Sequence, residues 1–98
     1  MTEVNKGLIL EIITPQGVEA KVECDSVQLA MADDENGRGK GSYGIRRGHT
    51  SCVLLLAQGT TTAQTAGREV FRANTAEGFA TVDKNTVSVV VQWANTEK

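Results

Sequence analysis

The sequence predicts one all-β domain, a single antiparallel β-sandwich of about eight to ten short strands spanning residues 1–98. Three observations predict it. Apolar residues recur with a period of two along most of the chain. Turn residues punctuate that pattern at strand-length intervals. No window carries the 3.6-residue apolar stripe of a dozen-residue helix.

The elements follow in order. Gly7 to Thr14 reads as a strand with Leu8, Leu10 and Ile12 on one face. Its other face, Ile9, Glu11 and Ile13, is also mostly apolar, which suits a central or partner-covered strand. Pro15-Gln16-Gly17 is a turn, because proline presets φ and glycine tolerates a positive φ. Val18, Ala20, Val22 and Cys24 then alternate with Glu19, Lys21 and Glu23. After a break at Asp25-Ser26, Val27, Leu29 and Met31 mark a third strand. Asp33 to Gly41 is a polar, glycine-rich loop, and Tyr43 to Arg46 a short strand.

Cys52 to Ala57 is the longest apolar run and reads as a buried strand closed by Gln58-Gly59. Thr60 to Thr65 is β-branched but polar, and is expected at a sheet edge. Ala66-Gly67 turns into a strand over Arg68 to Thr75. Phe79 to Val82 and Thr86 to Trp93 are the last strands, joined by Asp83-Lys84-Asn85. In the final strand Val87, Val89, Val91 and Trp93 share a face. The expected core is Leu8, Leu10, Ile12, Val22, Val27, Leu29, Leu54, Leu56, Phe79, Val82, Val89 and Val91.

Composition excludes several functions. Ten basic and twelve acidic residues leave a net charge of −2, the wrong sign for electrostatic capture of nucleic acid. The longest apolar run is six residues, against the roughly 20 that a membrane-spanning helix needs. The first six residues lack the basic and apolar regions of a signal peptide. Cys24 and Cys52 have no metal spacing and read as free, buried thiols of a reducing compartment.

Motifs for chemistry fail on inspection. Gly39 to Gly44 matches G-x-G-x-x-G, but no helix can follow to receive a pyrophosphate. Asp33 to Gly37 is faintly like a calcium loop, yet Ala32 and Tyr43 would occupy its first and last ligand positions. His49, Ser51 and Cys52 suggest a nucleophile and base, but no carboxylate stands nearby in sequence to orient the histidine. A turn histidine bonded to backbone is the expectation. No catalytic residue, cofactor or metal site is expected.

Several segments together resemble the amino-terminal β-sandwich domain of the epsilon subunit of F-type ATP synthases. "LEIITPQGV", Leu10 to Val18, is similar to that family's first strand and T-P-x-G-like turn. "ECDSVQLAM", Glu23 to Met31, and "GSYGIRRGH", Gly41 to His49, are similar to the next two signatures, the second of which is G-x-x-G-[IV]-x-P-G-H. "LLLAQG", "AEGFATVDKNTV" and "VSVVVQWANT" follow in the family's order. There are departures. Arg47 and Ser51 stand where the family has prolines, Glu77 replaces the first of two glycines, and the Asp33–Lys40 loop is longer. Family members often continue into a helical hairpin, whereas these residues end at Lys98. That hairpin's roles, inhibiting ATP hydrolysis and in some members binding ATP, are not carried over.

The resemblance implies a non-catalytic central-stalk subunit. It would link gamma to the membrane rotor ring and couple ion translocation to ATP synthesis or hydrolysis. It implies a peripheral position on the cytoplasmic face of the membrane, with no insertion into it. The ring-side contact would be Gly41, Ser42, Tyr43, Gly44, Ile45, Arg46, Arg47, Gly48 and His49. The gamma-side contact would include Ile9 and Ile13, the apolar residues on the second face of the first strand. The alternative is a free-standing binding module that takes a small ligand or peptide through the 33–48 loop.

Overall fold

A computed structural model describes residues 7–31 and 42–96. Ten strands form within them: β1 (Leu8–Thr14), β2 (Gly17–Cys24), β3 (Ser26–Ala30), β4 (Ser42–Arg46), β5 (Cys52–Leu56), β6 (Gly59–Thr65), β7 (Arg68–Thr75), β8 (Gly78–Asp83), β9 (Thr86–Val91) and β10 (Ala94–Thr96). They make two five-stranded sheets. Sheet I runs β2-β1-β9-β8-β5 and sheet II runs β10-β7-β6-β3-β4. Every pairing is antiparallel except β1 with β9, which is parallel and makes sheet I mixed. The expectation of antiparallel pairing throughout is corrected there. A period-two pattern fixes which way side chains point, and says nothing of strand direction.

The alternation sets the core. Leu8, Leu10 and Ile12 of β1 and Val87 and Val89 of β9 are wholly buried, and face Val27, Leu29 and Ile45 of sheet II in the same cluster. Val22 and Leu54 pack against this cluster but are only partly buried. Phe79 does not belong to it. It is 41 % exposed, while Ala80 and Val82 point inward. Phe79 and Val82 are three residues apart, so one strand cannot present both to the same side. Trp93 is also exposed and lies beyond the end of β9.

β6 is not an edge strand. It lies between β7 and β3, with Thr61 and Thr62 buried. Threonine suits a central strand once its hydroxyl has a partner, and Thr62 Oγ1 accepts from Gln64 Nε2 at 2.6 Å. Among the described residues, no buried side-chain polar atom lacks a hydrogen-bond partner. Two hairpins use positive φ at both central positions: Ala66-Gly67 at 55° and 79°, and Lys84-Asn85 at 50° and 64°. That geometry matches the right-handed twist of the strands it joins.

Candidate partner-contact surface

The Gly41–His49 segment is a strand and a turn rather than one presented loop. Ser42 to Arg46 form β4, the edge strand of sheet II. Ile45 is fully buried, so its side chain is core and not a partner contact. Alternation dictates this, since Ile45 shares the inward phase of a strand with polar or glycine neighbours. Ser42, Tyr43, Gly44, Arg46, Arg47 and Gly48 are exposed, and His49 is half-buried. They are spread along β4 and the turn beyond it, with Ser42 and His49 at its two ends. Gly41, like the rest of the 33–41 loop, lies outside the described residues.

The turn explains its own sequence. His49 N donates to Arg46 O at 3.1 Å, and Gly48 takes φ of 84°. A positive φ at the third position is the pattern of a type II turn, which favours proline at the second. Arg47 occupies that second position. Gly48 N donates to Asn85 Oδ1 at 2.8 Å and so ties this turn to the β8–β9 hairpin.

His49 has both ring nitrogens engaged. Nδ1 lies 2.8 Å from the Thr50 carbonyl oxygen, which can only accept. Nε2 is therefore the acceptor of the neutral ring, and Tyr43 Oη stands 3.2 Å from it. The Tyr43 and His49 rings meet edge to face, 5.8 Å between centroids. Cys52 Sγ lies 4.0 Å from Nδ1. The three side chains join edge strand β4 of one sheet to edge strand β5 of the other. Tertiary structure does bring a carboxylate close, but to the serine: Ser51 Oγ donates to Asp83 Oδ1 at 2.9 Å. Ser51 Oγ therefore pairs with Asp83 rather than with His49, whose nearest thiol is Cys52.

The thiols differ from each other. Cys24 is buried, and Cys52 is only partly so, which corrects the expectation that both are buried. Burial chiefly, with the adjacent Asp25 carboxylate second, pushes the Cys24 thiol up to about 11. Among the described residues, no cluster of three or more His, Cys, Asp or Glu could hold a metal ion.

An apolar row lies on the outer face of sheet I. Strand register aligns one residue from each of the five strands: Val18, Ile13, Val90, Phe79 and Leu55. Val18 and Leu55 are 59 % and 67 % exposed. The next row is polar over most of its length, Lys21, Glu11, Ser88 and Thr81, and ends at exposed Val53. Lys21 Nζ and Ser88 Oγ both reach Glu11, at 3.8 and 3.2 Å. Ile13 thus belongs to an apolar row. Ile9 stands on the same face, two rows away, between Glu23 and Thr86. The sequence reading missed Val18, Val90, Phe79 and Leu55 as surface. Leu55 lies in a strand apolar in both phases, whereas Val18 is turned outward by the register shift between Ile12 and Ile13.

The fold and this surface define a class: a β-sandwich module that buries one face of each sheet and presents an apolar row on one outer face. Residues 7–97 match the family described as ATP synthase, Delta/Epsilon chain, beta-sandwich domain, and the chain belongs to that family. Two solved structures share the fold. One is a chain of the Euglena gracilis mitochondrial ATP synthase OSCP/F1/c-ring assembly, with a TM-score of 0.75 and 18 % identity over 97 % of this chain. The other is a chain of the Tetrahymena thermophila mitochondrial ATP synthase central stalk and c-ring, with a TM-score of 0.66 and 12 % identity over 92 %. This chain spans 56 % and 66 % of their respective lengths. A search among curated proteins returned no match.

Proposed function

We propose that this chain is a non-catalytic rotor subunit of an F-type ATP synthase, with residues 1–98 as its β-sandwich domain. It would hold gamma to the membrane ring, so that ion translocation and ATP turnover stay coupled. It would sit peripherally, on the cytoplasmic face. Among the described residues, no helix is long and apolar enough to cross a membrane. The observation that carries the reading is the apolar row on the outer face of sheet I, in a chain of the delta/epsilon family. Exposed apolar patches of this kind on small domains mark protein contact sites.

Gamma takes the outer face of sheet I, with Ile13 inside the contact and Ile9 towards its margin. The ring takes the exposed residues Ser42, Tyr43, Gly44, Arg46, Arg47 and Gly48, with half-buried His49 beside them. Arg46 and Arg47 offer planar, forked donors to carboxylates or carbonyls of the ring's polar loops. The test is a membrane crosslink. Ser42→Cys, in a background without Cys24 and Cys52, should crosslink to the ring subunit and not to the catalytic heads. Wild-type chain should also co-purify with gamma at low salt. Failure of the wild-type chain to co-purify with gamma at low salt would end the rotor reading.

A further inference from the structure

At the Pro15 end of sheet I the apolar row opens into a hollow of about 400 Å³. Ile13, Pro15, Phe79 and Val90 supply its apolar lining, and exposed Glu77 and Gln92 border it. The lining residues come from β1, β8, β9 and the segments beside them. Gly78 keeps β8 tight against β9, because a Cβ there would collide with the Val90 carbonyl. Phe79 and Glu77 are thereby fixed on either side of a close backbone contact.

The charge of the hollow is equally defined. Glu77 is the ionisable residue of the lining, and no lysine or arginine lines it. Glu77 makes no ion pair among the described residues. Its neighbours along the sheet add little positive charge, since Lys21 is already paired with Glu11. An apolar hollow bordered by a carboxylate with no ion-pair partner among the described residues suits one kind of occupant. Aromatic anchors seated in such pockets dominate the energy of protein interfaces, and an adjacent cation is what the carboxylate can pair with.

We propose that this hollow is the anchor point of the gamma contact: it receives an aromatic side chain of gamma, while a lysine or arginine beside that side chain pairs with Glu77. The proposal rests on the rotor reading above and adds to it the site and chemistry of the contact. Leu55, at the far end of the same row, then lies outside the anchor and contributes only covered area.

The experiment is calorimetric binding of the 98-residue chain to purified gamma at low and moderate salt. Val90→Trp fills the hollow and should lower affinity by about tenfold or more. Glu77→Gln leaves an exposed position isosteric and should fold as the parent does. It should lower affinity roughly two- to fivefold at low salt and flatten the salt dependence. Leu55→Ala should change affinity less than either. If wild-type chain binds gamma and Val90→Trp and Glu77→Gln bind it equally well, with the same salt dependence, the anchor proposal is overturned and the rotor reading stands. If wild-type chain does not bind gamma at low salt, both fail together. Should Val90→Trp not fold, the salt dependence of Glu77→Gln decides by itself.

Discussion

Across the outer face of sheet I the register aligns Val18, Ile13, Val90, Phe79 and Leu55. Across the outer face of sheet II it aligns Arg72, Thr62, Gln28 and Gly44. Both sheets have five strands, and both turn an aliphatic face inward. Their outer faces are finished differently. Side chains on sheet II satisfy one another: Ser26 Oγ donates to Gln64 Oε1, Gln64 Nε2 donates to Thr62 Oγ1, and Thr60 Oγ1 donates to Asn74 Oδ1. Arg72 forks onto Glu69 through Nε and Nη2 at 2.8 and 2.9 Å. That ion pair holds the Glu69 carboxyl below its usual range. Such a face is polar along these positions, although Val70 of β7 stands 52 % exposed beside them. The row on sheet I keeps apolar area exposed that only a partner can cover. The difference teaches that a sandwich needs one apolar face per sheet to fold, and that a second apolar face is a surface for something else.

The largest expected effect separates folding from surface within sheet I itself. Leu10→Ala, on the inner face, should cost about 2–5 kcal/mol of stability in urea denaturation, as a truncation at a fully buried site. Phe79→Asn, on the outer face, should cost well under half of that, because the ring is already partly in water. It should nonetheless abolish most gamma binding. A Phe79 variant as unstable as Leu10→Ala would show that the outer row is structural, and the contrast between the two outer faces would lose its meaning.

A smaller effect comes from Cys24, on the inner face at the end of β2. Its thiol is pushed up to about 11 from 9.0, so the folded state keeps a proton that the unfolded chain releases first. The contribution is therefore full below pH 9 and is lost as the pH rises from 9 to about 11. Cys24→Ala should flatten the decline of stability across that window. An unchanged slope would mean that the site admits water. In the folded protein at pH 8, a disulfide reagent should modify Cys52 well before Cys24.

The smallest effect sharpens the view of the β4–β5 turn. Arg47→Pro should stabilise the domain by about 0.4–1 kcal/mol, since proline presets φ at the second position of a type II turn and stiffens the unfolded chain. Loss of stability instead would show that the Arg47 N–H or side chain holds the turn in a way the Gly48 geometry does not reveal.

Much of this was legible in the sequence. Leu8, Leu10 and Ile12, and Val87, Val89 and Val91, alternate so regularly that their burial followed from period two. The hairpins at Ala66-Gly67 and Lys84-Asn85 followed from turn chemistry, and the family from the order of short segments. Other residues were misread for definite reasons. Phe79 was assigned to the core by its hydrophobicity, against the phase that Val82 demands. Ile45 fell within a contact surface because the resemblance treats Gly41 to His49 as one presented segment, whereas strand alternation turns its side chain inward. The Thr60–Thr65 segment was placed at an edge because threonine is polar, although its hydroxyls find partners inside a sheet.

The sequence by itself determined nine of the ten strands, all but β10 (Ala94–Thr96), the turns and, through alternation, most of the inward-facing residues, because these depend on contacts between near neighbours in the chain. Only the tertiary structure decided which strands lie side by side. Register carries that decision. It set β1 parallel to β9, put β6 inside sheet II, joined His49 to Tyr43 and Ser51 to Asp83, and lined five apolar residues from five strands into one row. A period of two states that a residue points up or down; long-range pairing determines what stands beside it.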